Sequence, residues 1–166
     1  MTKNIPTSMH EVTDQWLIDI LSSHQAFADA PISSVDRQSV GDGIGQVGEF
    51  NKVVVTTESA KQTTLFLKLR APIEGMHAVA LRYKMYEKEV RFYNELAAHM
   101  DVRTPEVYYA DYDPETDNVA LLMEFLDGWH SPDQITGASH TQTLAAIKQL
   151  GAINAPYWNR TRELPW

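Results

Sequence analysis

Gly43, Gly45 and Gly48 stand at the spacing G-x-G-x-x-G inside "GDGIGQVGEFNKVVVTT", where missing side chains let backbone amides approach an anionic ligand. Further along, Lys68 lies within "LFLKLRA". On an alternating strand Leu65, Leu67 and Leu69 share one face, and Phe66, Lys68 and Arg70 share the other. A lysine in that setting either sends its amine to solvent at a sheet edge or serves as a fixed positive charge for a ligand. Glu89 poses the complementary question. Met85, Glu89, Phe92, Leu96 and Met100 recur at three- and four-residue spacings, which predicts that they share one helix face. A carboxylate in the middle of an apolar stripe is costly to desolvate unless a cation meets it. Glu89 is then either a rim residue paired with Lys88 or Arg91, or the partner that orients Lys68.

The elements that must hold these residues can be read from periodicity and turn chemistry. "TDQWLIDILSSH" predicts a short helix capped by Thr13 or Asp14, with Trp16, Leu17, Ile20 and Leu21 as its apolar stripe. "FNKVVVTTESAKQTTLFLKLRA" predicts strands over roughly 50–57 and 63–70, with the polar "ESAKQ" as a hairpin loop. A long helix is expected from Ala78 to Met100, stopped near the turn between Asp101 and Pro105. "EVYYADY" and "NVALLMEFL" predict two more strands joined by a Pro-Asp type of turn, and a last helix is expected through "TQTLAAIKQLGAINAPYW". This order favours an antiparallel sheet with one major helix, an α+β layout rather than alternating βαβ units.

That layout sorts the possible meanings of the glycines. A dinucleotide-binding turn needs a buried strand before the glycines and a helix beginning within them. Here "SSVDRQSV" is too polar for a buried parallel strand, and "FNKVVVTT" is a strand rather than a helix, which argues against a nicotinamide-dependent oxidoreductase. A Walker A loop needs Lys-Ser/Thr after its last glycine, and Gly48 is followed by Glu49 and Phe50. A kinase-type flap, G-x-G-x-x-G-x-V between antiparallel strands, fits Gly43 to Phe50 with phenylalanine in the valine position. A glycine-rich hairpin loop without a ligand is the alternative. Taken in order, flap, strand lysine and helix glutamate are more specific than any of them alone. "VALLMEFLDG" would then be a buried strand leading into a hinge, where the backbone of Glu124 to Leu126 could hydrogen-bond a nucleobase with Met123 behind it. A plain strand and turn would account for the same residues.

Composition narrows the class of partner. The chain has 166 residues, 43% of them apolar, no cysteine, and a net charge of −8. A chain of this length can form one domain that removes roughly 70% of its unfolded surface from water. The absence of cysteine excludes disulfides and thiolate metal sites and suits a cytoplasmic protein. The acidity, with no Lys/Arg cluster among aromatics, makes nucleic acid a poor partner. No apolar run approaches a membrane span, and the start lacks the apolar core of a secretion signal. The six histidines show no metal-ligand spacing, so no metal site is expected.

Several stretches together resemble a known family. "GIGQVGEF", "LFLKLRA", "YEKEVRFYNEL", "VRTPEVYYADYDPETDN", "LLMEFLDG", "DQITG" and "INAPYW" are similar, in order and spacing, to the aminoglycoside phosphotransferase and choline kinase-like superfamily. They look most like its ecdysteroid-kinase-like bacterial branch. The resemblance implies a protein-kinase-like N-lobe: an antiparallel sheet of about five strands with one long helix, followed by the first helix of a C-lobe. It divides the chain into an N-terminal helical segment over 1–34, the lobe with flap and hinge over 35–128, and the start of a C-lobe over 129–166. It implies ATP as cofactor and an unidentified small-molecule hydroxyl as acceptor of the γ-phosphoryl group. Lys68 would bind the nucleotide phosphates and Glu89 would pair with it. Gly43, Gly45, Gln46 and Gly48 would cover the nucleotide, and Met123, Glu124, Phe125 and Leu126 would line its base.

The chain also departs from the family pattern. Asn154 replaces the histidine of the usual L-H-A, and there is neither an H-G-D catalytic loop nor a later metal-binding aspartate motif. His130-Ser131-Pro132-Asp133 is the nearest substitute, but it lacks the glycine and has Ala138 where an asparagine is needed. Asp111 and Asp113 precede the hinge and are on the wrong side for that role. The expectation is therefore the nucleotide-binding part of a longer kinase, inactive by itself, with magnesium held by the part that is missing. The alternative is a non-catalytic nucleotide-binding or regulatory module.

Overall fold

The computed structural model describes residues 4–39, 48–129, 132–133 and 135–163. Its centre is a five-stranded sheet in the order β1-β2-β3-β5-β4, with every neighbouring pair antiparallel. Strand β1 is Ile32–Ser39, β2 is Glu49–Thr57 and β3 is Gln62–Leu69. Strand β4 is Val107–Asp113 and β5 is Asn118–Glu124. The polar "ISSVDRQS" does form a strand, but at an edge with one neighbour, where polar and charged side chains can reach water. The β2–β3 connection turns through Ala60, whose φ of 61° is left-handed. In the β4–β5 turn the Asp113 carboxylate accepts from Glu115 N and Thr116 Oγ1, at 2.9 and 2.7 Å.

Both faces of this sheet are covered. Leu65, Leu67 and Leu69 of β3, with Val53, Val55, Ala120 and Leu122, pack against the N-terminal segment. That cover consists of helix α1, Asp14–Leu21, together with Ile5, Val12 and Phe27. Thr13 caps α1 by accepting from Trp16 N, and Leu17, Ile20 and Leu21 are its buried side. Trp16 is half-buried, edge-on to the Tyr109 ring at 5.8 Å. The opposite face carries Val119, Leu121 and Met123 with Phe66 against them, covered by Ala80, Tyr86 and Val90. Strand β5 therefore buries alternate residues in two different cores, which explains why "NVALLM" reads as a continuous apolar run.

The expected single helix over 78–100 is broken. Helix α2 spans Glu74–Arg82, and Lys84 then adopts a left-handed φ of 52° before helix α3, Met85–Arg91. A π-helical turn, Phe92–Leu96, and a 3-10 turn, Ala97–His99, complete the segment. Of the stripe expected at Met85, Glu89, Phe92, Leu96 and Met100, Leu96 is buried and Met85 is 37% exposed, while Tyr86 and Val90 are the buried residues of α3. The π-helical turn at Phe92–Leu96 shifts the helical phase between Glu89 and Leu96.

Helix α4, His140–Asn154, begins with a capping box between Ser139 and Gln142 and ends just before Pro156. It buries none of its residues: Leu144, Ile147 and Leu150 are all exposed. Among the described residues no helix is long and apolar enough to cross a membrane.

Candidate functional site

Lys68 occupies β3, the middle strand of the five, and is only 9% exposed. The edge-strand alternative does not hold. The amine lies 2.8 Å from Glu89 Oε1 and 2.6 Å from Oε2, so one ammonium meets both oxygens of one carboxylate. A lysine this deep in a sheet requires such a partner, because an unpaired buried ammonium pays a large desolvation penalty. Glu89 does not take the rim pairing: Arg91 binds Glu87 at 3.2 Å and Glu95 at 3.8 Å instead. An ammonium has three N–H donors. Two are directed at Glu89, which leaves one to offer a ligand.

Gly48, immediately before β2, stands over this lysine. A Cβ at that position would lie 3.0 Å from Lys68 Cε, from the Leu69 carbonyl oxygen and from Phe50 Cε1. The last glycine of the motif is thus required by close packing on the lysine stem. Gly43, Gly45 and Gln46, the other expected flap residues, lie outside the described residues.

A second feature lies on the same face, one row along. Phe50, Lys68 and Leu121 stand opposite one another across β2, β3 and β5, and Lys52, Phe66 and Met123 form the adjacent row. Adjacent same-face rows are about 7 Å apart along the strands. Around Phe66 and Met123 opens a pocket of about 280 Å³, lined also by Pro105, Glu124, Phe125 and Leu126. Four of its six lining residues are the expected hinge residues. Phe50 stacks on Phe66 with centroids 5.2 Å apart, and Lys52 Nζ lies 5.2 Å from the centre of the Phe125 ring.

The expected run of open backbone in this hinge is partly occupied. Glu124 N donates to Glu106 O at 2.7 Å, and Phe125 N donates to Thr64 O at 3.3 Å. The Phe125 and Leu126 carbonyls accept from Asp127 N and Trp129 N. Among the described residues, the Leu126 amide is the hinge donor without a partner. The Glu124 side chain is also committed, with Arg103 Nη2 at 2.7 and 2.5 Å from its oxygens. That hydrogen bond holds the Glu124 carboxyl below its ordinary range.

A polar chain that sequence reasoning did not single out lies one helical turn from Glu89. The Tyr86 hydroxyl accepts from Ala71 N at 2.9 Å and lies 3.4 Å from His77 Nδ1, while His77 Nε2 is 3.2 Å from Arg70 Nη1. Tyr86 precedes Glu89 by one helical turn, a spacing that points to it once Glu89 is suspected. Burial pushes the Tyr86 phenol up, and burial with the Arg70 charge pushes His77 down.

Asp133 Oδ1 accepts from Ile135 N, Thr136 N and Thr136 Oγ1 at 2.9, 2.8 and 3.2 Å, so it closes a local turn. Among the described residues no group of three or more His, Asp or Glu is placed to hold a metal ion. Neither a family model, a curated protein nor a solved structure matches the chain, so the meaning of the site rests on its own geometry.

Proposed function

We propose that this chain is the nucleotide-binding lobe of a small-molecule kinase, with ATP held across the β2–β3–β5 face. The observation that carries the reading is the buried Lys68 amine, paired with both oxygens of Glu89 beside an apolar pocket on the same face. In this reading the flat base enters the pocket between Phe66 and Met123 and takes a hydrogen bond from the Leu126 amide. The phosphates run along the strands toward Lys68, whose remaining N–H binds a phosphate oxygen, while Gly48 packs closely on the lysine stem. The family proposed is the aminoglycoside phosphotransferase-like one, in its ecdysteroid-kinase-like branch, acting in the cytoplasm on a small-molecule hydroxyl.

When bound, ATP supplies the phosphoryl group; the residues here bind and orient it. Phosphoryl transfer also needs a group to accept the hydroxyl proton and ligands for a divalent ion. Asp133 is engaged in its turn, and among the described residues no group of three or more His, Asp or Glu is placed to hold a metal ion, so no step is assigned to either. The second reading is a module that binds nucleotide without transferring phosphate.

Calorimetric titration with ATP and with adenosine, both without metal, tests the reading. Wild type should bind both, and Lys68→Ala should lower ATP affinity about tenfold, one charge-assisted contact, while leaving adenosine unchanged. Absence of ATP binding by wild type, or equal losses for the two ligands, would overturn it.

A further inference from the structure

Helix α3 carries Glu89, yet it is only seven residues long and is separated from α2 by the left-handed Lys84. A helix this short has little stability of its own, and the break prevents it from inheriting its direction from α2. Apolar packing of Tyr86 and Val90 on Val119, Leu121 and Met123 seats α3 on the sheet. Two polar rungs then tie it to β3 and to the residues just after that strand. Glu89 meets Lys68, and Tyr86, three residues earlier, meets Ala71, three residues later. Tyr86 is 1% exposed, so its ring is enclosed by the core and its hydroxyl is held away from solvent.

His77 on α2 secures that hydroxyl. Arg70 can only donate, so Nε2 of His77 is the acceptor and the ring proton sits on Nδ1, directed at the Tyr86 oxygen. The two rings stack at 5.7 Å with 27° between their planes. Arg70 in turn donates to Thr7 O of the N-terminal segment at 3.2 Å. We infer that Tyr86 is a positioning residue for the ion pair: its hydroxyl, anchored on Ala71 N and His77, sets α3 at the distance from β3 at which Glu89 reaches Lys68. The consequence for nucleotide rests on the function proposed above; the positioning of Glu89 does not.

The test reads the Lys68 amine directly. Acylation by an N-hydroxysuccinimide ester, followed by peptide mass spectrometry well below the melting temperature, gives a rate for Lys68 relative to the exposed Lys84. Tyr86→Phe keeps the ring and removes the hydroxyl. It should raise the relative Lys68 rate about fivefold, the size of one buried hydrogen bond. Tyr112→Phe removes a hydroxyl that donates to Asp117 at 2.6 Å, away from the pair, and should leave the rate at the wild-type value. A Tyr86→Phe protein that melts earlier but keeps the wild-type rate would show a purely structural tyrosine and overturn the inference, as would an equal rise in Tyr112→Phe. Should Tyr86→Phe not fold, His77→Phe preserves the stack without the Nδ1 contact; about a twofold rise supports the inference and an unchanged rate overturns it. ATP titration of the same proteins separates this inference from the functional reading. Faster Lys68 labelling in a protein whose wild type binds no ATP leaves the positioning intact and removes the function. ATP binding weakened in Tyr86→Phe without faster labelling does the reverse.

Discussion

Gly48 and Lys68 occupy complementary space: the position where a side chain would begin on Gly48 is 3.0 Å from Lys68 Cε. Gly48→Ala must therefore move the lysine stem, the Phe50 ring or the Leu69 carbonyl, and the last is held by the sheet. Overpacking of this kind costs about 1–3 kcal/mol. Urea unfolding of Gly48→Ala should show a loss in that range, with an unchanged m-value.

The buried pair should be asymmetric to mutation. Glu89→Gln leaves an ammonium in the sheet facing a neutral amide, and a loss of about 2 kcal/mol is expected, below the full cost of a broken buried pair because the Glu89 side chain is 30% exposed. Lys68→Met replaces the stem by an apolar side chain of similar volume and should cost less than about 1 kcal/mol. The double variant should recover most of the Glu89→Gln loss in urea unfolding. Equal losses in the two single variants would contradict the burial assigned to Lys68.

His77 makes stability depend on pH on the acid side of neutrality. Its neutral ring accepts from Arg70, and burial followed by the Arg70 charge lowers its pKa from 6.5, against a smaller opposing effect of Asp117. Arg70, Tyr86 and Asp117 are the charged or titratable groups acting on the ring. The unfolded chain binds the proton first as pH falls. The stabilisation is therefore complete above pH 6.5 and is lost as pH drops through the lowered value. Melting temperatures between pH 8 and pH 5 should fall more for wild type than for His77→Gln.

Phe66 provides the flat wall of the pocket, with Phe50 stacked on it. If a nucleobase enters there, Phe66→Ala should weaken adenosine and ATP by a similar factor of about ten, the scale of one base–aromatic stack. Lys68→Ala would spare adenosine. Titration of both ligands into both variants distinguishes base recognition from phosphate recognition.

Local chemistry carried much of the architecture. The β-branched and apolar runs, the hairpin turn signals and the Thr13 cap were sufficient to place α1, β2–β5 and the antiparallel α+β layout. They placed Lys68, Glu89 and the Met123–Leu126 stretch on the elements where they are found. These features depend on neighbours a few residues away, which periodicity records. Tertiary contacts decided the rest. Whether Lys68 lay at an edge or at the centre depended on β5 inserting between β3 and β4, a pairing between residues more than fifty positions apart. The division of the expected helix into α2 and α3 lies at the left-handed Lys84, a non-glycine residue whose sequence does not announce that conformation. The bracing of Glu89 by Tyr86, Ala71 and His77 joins three elements through single atoms. It could form only after α2, α3 and β3 had packed, because a hydrogen bond across a core is specified by the final distance between elements and not by the residues within any one of them.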